Sequence, residues 1–199
     1  MIRATVVSKA YNHSCVQHRA RVNSELHNAL TSYRNVDDLI SLDLSKNYVG
    51  CEAGFQCILE LVAGAPHLKS LNLSCTGLTT QNVADLVALA LKHPCLRDLQ
   101  LSMNRLYIDS GLQLVRLARF NPRIMSIDIV DQAATDVERQ LANHVPPRIV
   151  TELQRHLRFN REQAAKRAAT GGAATGPSPA AAARSTSWQA RAAAAENAM

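Results

Sequence analysis

Apolar residues recur along this chain in two alternating rhythms. The stretch Leu39-x-x-Leu42-x-Leu44-x-x-Asn47-x-Val49 returns as Leu68-x-x-Leu71-x-Leu73-x-x-Thr76-x-Leu78 and as Leu96-x-x-Leu99-x-Leu101-x-x-Asn104-x-Leu106. A weaker copy, Ile124-x-x-Ile127-x-Ile129, loses the register at Gln132. Alternation inside each copy is the two-residue period of a strand. Between copies the spacing changes to three and four, in Phe55, Ile58, Leu59 and Val62, then Val83, Leu86, Val87 and Ala90, then Leu114, Val115 and Ala118. Each set falls on one face of a helix. Pro66, Pro94 and Pro122 stand two residues ahead of the next strand motif, where a helix must stop. Each unit of roughly 28 residues therefore predicts strand, loop, helix, loop.

The ends are less regular. Over residues 20–34, Leu26, Ala29, Leu30 and Tyr33 predict the helix of an N-terminal half-repeat, and Thr5-Val6-Val7 offers a degenerate strand before it. That leaves the first strand edge poorly covered, a place for aggregation or attachment. After the fourth strand, Thr135 and Glu138 have capping-box spacing ahead of a short helix bearing Val137 and Leu141. Pro146-Pro147 then breaks the chain, with Pro147 suited to a first helical position. Ile149, Val150, Leu153 and Leu157 give the following helix an apolar stripe that closes the last repeat and fades beyond Phe159. From Gly171-Gly172 onward the chain is mostly Ala, Gly, Pro, Ser and Thr around a lone Trp188, a composition expected to stay disordered. The resulting division is a half-repeat cap over 1–38, repeats over 39–134, capping helices over 135–169 and a tail over 170–199.

A single unit exposes the core it begins, so neighbours must stack. The Asn ending the motif (Asn47, Asn104) is placed to turn its amide inward and pair backbone groups where the strand bends away. Thr76 meets only part of that demand. Together with the wording from Asn104 through Ile108, Asp109 and Gly111 to Asn121-Pro122, the segment Leu39–Ile129 resembles the ribonuclease-inhibitor-like class of leucine-rich repeats. The resemblance implies an α/β fold: a short right-handed βα solenoid with parallel strands on the concave face and helices on the convex one. Function is far less constrained, because that class includes inhibitors, GTPase regulators, immune sensors, actin-capping proteins and axonemal components.

Composition adds three things. Aromatics make up 4% of a chain that is 47% hydrophobic, so aliphatic side chains must fill the core. Net charge is +6, and much of the surplus lies late, in Arg148, Arg155, Arg158, Arg161, Lys166, Arg167, Arg184 and Arg191 against Glu152, Glu162 and Glu196. Cys15, Cys51, Cys57, Cys75 and Cys95 form no C-x-x-C pair, which fits a reduced, cytoplasmic chain. Cys57, Cys75 and Cys95 are expected as packed thiols, and Cys51, in the loop after a strand, is the candidate for a reactive one. No signal peptide is legible at the start and no stretch is apolar enough for a membrane span. The histidines (His13, His18, His27, His67, His93, His144, His156) show no metal spacing, and neither a P-loop nor a G-x-S-x-G occurs. His93, like His67, is expected to be structural or merely exposed. Neither an enzyme, nor a cofactor, nor a metal is expected.

Residues pointing away from the core line up in columns on the expected concave face: Ser41, Ser70, Asp98 and Ser126, then Asp43, Asn72, Gln100 and Asp128, then Ser45, Ser74 and Ser102. These are the expected partner-binding positions, although ordinary solvated strand positions would look the same. Lys46, Lys69 and Arg97 border them. Arg155, Arg158, Arg161, Lys166 and Arg167 offer a second, charge-driven contact, with too little aromatic interleaving to suggest nucleic acid. The expectation is a non-enzymatic protein-binding scaffold or adaptor, a candidate subunit of a cytoskeletal or flagellar assembly. The alternative is a regulator of a small GTPase or another enzyme.

Overall fold

A computed structural model describes residues 6–49, 51–130 and 142–169. Among the described residues ten elements follow in chain order: α1 (Val6–Gln17), α2 (Ser24–Leu30), β1 (Ser41–Asp43), α3 (Glu52–Ala63), β2 (Ser70–Asn72), α4 (Thr80–Lys92), β3 (Asp98–Gln100), α5 (Ile108–Phe120), β4 (Ser126–Asp128) and α6 (Pro147–Ala169). The strands form one parallel sheet in the order β1-β2-β3-β4. Leu42 pairs with Leu71, Leu71 with Leu99 and Leu99 with Ile127.

Every Leu, Ile and Val of the strand motifs is buried, from Leu39, Leu42, Leu44 and Val49 through Ile124, Ile127 and Ile129. So is every helix-stripe residue from Phe55 to Ala118 named above. Strand and helix side chains belong to one continuous core. The helices therefore cover the face to which the strand leucines point, and Ser41, Asp43 and their equivalents are left on the open face.

Three expectations at the N-terminus are corrected. Val6 and Val7 begin the helix α1 rather than a strand. The β-branched pair suggested extension, but Val7, Ala10, Tyr11, Ser14 and Cys15 are the buried side, at the three-and-four spacing of a helix. It is α1 that packs against α3, so the preceding rung is filled by α1 and not by the helix expected over 20–34. That second helix is the short α2, started by Asn23, whose side-chain oxygen accepts the N–H groups of Glu25 and Leu26. The edge of β1 is also less bare than expected: the Tyr33 hydroxyl accepts the Asp43 N–H at 3.0 Å, with Val36 and Leu39 buried alongside.

At the other end Pro147 does open α6, and Ile149, Leu153 and Leu157 form its buried stripe. The helix runs to Ala169, with Phe159 facing solvent and Asn160 taking the next stripe position after Leu157. Close approach of α6 to α5 depends on Gly111, where a Cβ would stand 2.6 Å from Val145 Cγ1 and 3.0 Å from Ile149 Cγ2. The capping box at Thr135–Glu138, Val137 and Leu141, and the tail over 170–199, lie outside the described residues. No helix among the described residues is long and apolar enough to cross a membrane.

Candidate functional site

Strand pairing places the predicted columns side by side. Ser41, Ser70, Asp98 and Ser126 are consecutive partners across the sheet, as are Asp43, Asn72, Gln100 and Asp128. Ser41, Asp43, Gln100, Ser126 and Asp128 are exposed, while Ser70, Asn72 and Asp98 are half-buried. In the third column Ser102 Oγ donates to Ser74 Oγ at 3.0 Å.

The second column has a local duty as well. Asp43, Asn72 and Asp128 each accept, through Oδ1, the N–H two residues on, from Ser45, Ser74 and Val130 at 2.9–3.0 Å. These turns take each strand into its loop. Burial alone would raise the Asp43 pKa, but the Ser45 N–H and hydroxyl and the Asn72 amide outweigh it and bring it below its ordinary value. Burial pushes Asp98 up, with Arg97 opposing. The face thus carries fixed negative charge at Asp43 and a softer carboxylate at Asp98.

Beneath this face lies a ladder of buried polar side chains. After each of the first three strands, the third residue of the loop adopts a left-handed backbone: Lys46 (φ 62°), Cys75 (φ 57°) and Met103 (φ 59°). The residue that follows turns its side chain inward. The Asn104 amide donates to the carbonyls of Leu73 and Leu101 at 2.7 and 3.1 Å, and its oxygen accepts the N–H groups of Thr76 and Leu78 at 3.0 and 3.2 Å. Thr76 is fully buried, with its hydroxyl on the Leu73 carbonyl. Asn47 is only half-buried and donates to Leu44 and Ser45.

Where the repeat register fails, Asn143 supplies the missing rung. Its oxygen accepts the N–H groups of Asn104 and Leu106, and its amide donates to the Leu101 and Ile129 carbonyls, one repeat on from the Thr76, Leu78, Leu73 and Leu101 partners of Asn104. A second ladder runs along the helix ends. His93 Nε2 meets the Val62 and Ala65 carbonyls, Asn121 donates to the Ala90 carbonyl, and Asn160 of α6 donates to the carbonyls of Ala118 and Ile124, both at 2.9 Å.

His93 is therefore structural. Its Nδ1 accepts the N–H groups of Cys95 and Leu96, which requires the neutral ring protonated at Nε2. Burial holds its pKa below the ordinary 6.5, the Arg123 charge adding to this against the Ala65 and Val62 carbonyls. The unfolded chain binds this proton near pH 6.5 and the folded chain only at lower pH. Stability due to His93 is thus complete above about pH 6.5 and is lost as pH falls through the folded pKa. Urea midpoints should drop between pH 7.5 and 5 for the natural chain, with a shallower slope for His93→Gln. Parallel pH profiles would remove His93 from this role.

The basic residues of α6 divide. Arg155, Arg158, Arg161, Lys166 and Arg167 are all exposed. Arg161, however, donates to the Met125 carbonyl at 2.8 Å. Along the sheet the corresponding carbonyls, Lys69 and Arg97, accept from the next repeat, so Arg161 closes the last edge. Of the thiols, Cys57 is buried and pushed up to about 12 by burial and by Cys15 beside it, as suits a packed group, and Cys51 is exposed. Cys75 and Cys95 are less enclosed than expected, because both sit in loops.

No protein-family model matches the sequence, and no curated protein matches it. Among solved structures, the tropomodulin C-terminal domain from Caenorhabditis elegans superposes with a TM-score of 0.50 at 14% identity, covering 82% of this chain and 98% of that one. The chain thus shares a leucine-rich-repeat-like α/β fold with that domain.

Proposed function

We propose that the protein is a non-enzymatic scaffold or adaptor, built on repeats of the ribonuclease-inhibitor-like class, that holds a protein partner on the open face of its sheet. The observation that supports this is the registered column Asp43, Asn72, Gln100 and Asp128, a polar surface on a framework held rigid by its buried rungs. Arg155 and Arg158 on α6 give a second contact of opposite sign. A place in a cytoplasmic assembly, cytoskeletal or flagellar, suits a small array whose value lies in its shape.

The test must remove charge without disturbing the turns. Asn72 occupies the same position as Asp43 and Asp128 and makes the same turn, so Asp43→Asn and Asp128→Asn keep the acceptor, and Asp98→Asn completes the neutralisation. This triple variant should fold within about 1 kcal/mol of the natural chain. Affinity capture from cells should lose the partner, whereas Arg155→Glu with Arg158→Glu weakens it. Undiminished capture by the triple variant would rule out the open face.

A further inference from the structure

Beyond the open face, the loops leaving β1, β2 and β3 enclose a groove of about 650 Å³ whose walls are Lys46 and Tyr48 on one side and Arg105 and Tyr107 on the other. We propose that this groove is a binding site for an acidic peptide segment of a partner protein, separate from the open face. At its floor Gly77, at φ 74°, stands where the neighbouring repeats have Tyr48 and Arg105, and the space left by its missing side chain is taken by the Tyr48 ring.

The aromatic walls are braced before any ligand arrives. The Tyr48 ring leans over Gly77, so that a Cβ there would lie 2.7 Å from it. Tyr107 stacks on His144 at 5.4 Å. Both tyrosines nevertheless remain largely exposed, at 67% and 49%. Large aromatic side chains held rigid yet solvated lose little entropy on contact.

Charge selects the ligand. No residue lining the groove is acidic, and neither Lys46 nor Arg105 pairs with a carboxylate among the described residues. Glu52 and Asp109 stand nearby, in the first turns of α3 and α5. Two cations flanking two tyrosines fit a short segment with two carboxylates about an apolar or aromatic side chain. A nucleic-acid strand is disfavoured because the groove offers only two lining cations, Lys46 and Arg105, for a run of phosphates, whereas a peptide carries its charges locally.

The probe is a fluorescein-labelled peptide of glutamates around a single tryptophan, read by anisotropy against the full chain. Saturable, salt-sensitive binding is expected, lost when glutamines replace the glutamates. Lys46→Glu with Arg105→Glu should weaken it by about tenfold or more, and Tyr48→Ser several-fold. Arg155→Glu with Arg158→Glu and the open-face triple variant should stay within about twofold. Circular dichroism and urea midpoints check that each variant is folded. Absence of binding, loss through the α6 variant instead, or equal competition by a single-stranded oligonucleotide would each overturn the assignment.

Discussion

Replacing Asn104 with alanine is expected to destabilise the protein by about 3–5 kcal/mol, a loss normally reserved for large core truncations. The amide is 3% exposed and joins two strands with the loops beyond them. Its loss leaves the Leu73 carbonyl dependent on Thr76 alone and strips partners from the N–H groups of Thr76 and Leu78. Each orphaned buried group costs about 1–3 kcal/mol, and the loops can recover only part of this by reaching water. Asn47→Ala provides the control: same motif position, half-buried, bonded only within its own loop, and expected to cost about 1 kcal/mol. Urea unfolding of both variants at constant slope gives the comparison. Equal losses would mean that burial and cross-strand bonding do not set the value of a rung.

That difference shows what the sequence could and could not reveal. The strands, their order and the inward leucines follow from an alternation that recurs with the repeat, and so do the open-face columns, since fixing Leu42, Leu71 and Leu99 inward leaves their neighbours outward. Pro147 marked the start of α6 through its fixed φ and missing donor. The polar rungs were legible only while they kept the period. Asn121 follows His93 by one repeat, a signal available to anyone who aligned the loops, but Asn143 and Asn160 come from outside the repeating segment. What qualifies them is position in space, to which no spacing in the chain points. At the other end, Val6 and Val7 favour a strand locally and are overruled by burial against α3, a tertiary choice. The rim groove depends on left-handed loop residues and on the absent side chain of Gly77, neither of which alters the hydrophobic pattern.

The C-terminal cap can be tested by a substitution whose sign, not merely its size, separates two accounts of why α6 docks. Asn160 continues the stripe Ile149, Leu153 and Leu157, and a leucine there has the same branched heavy-atom skeleton with methyl groups in place of the amide. Were apolar burial the main force at this position, Asn160→Leu would stabilise the cap by about 1–2 kcal/mol. The Asn160 amide, however, also serves the carbonyls of Ala118 and Ile124 at 2.9 Å, with Asn121 at 3.3 Å, and these end α5 and lead into β4. Leucine would seal them from water without offering a donor, so we expect a loss of about 2–4 kcal/mol. Arg161→Ala, which frees only an exposed carbonyl contact, should cost under about 1 kcal/mol, and Arg155→Ala less still. Hydrogen exchange should show the change concentrated in α6 and the end of α5 for Asn160→Leu. A leucine variant more stable than the natural chain would mean that α6 is held by its oily stripe alone, and that the resemblance of its polar contacts to a further repeat is incidental.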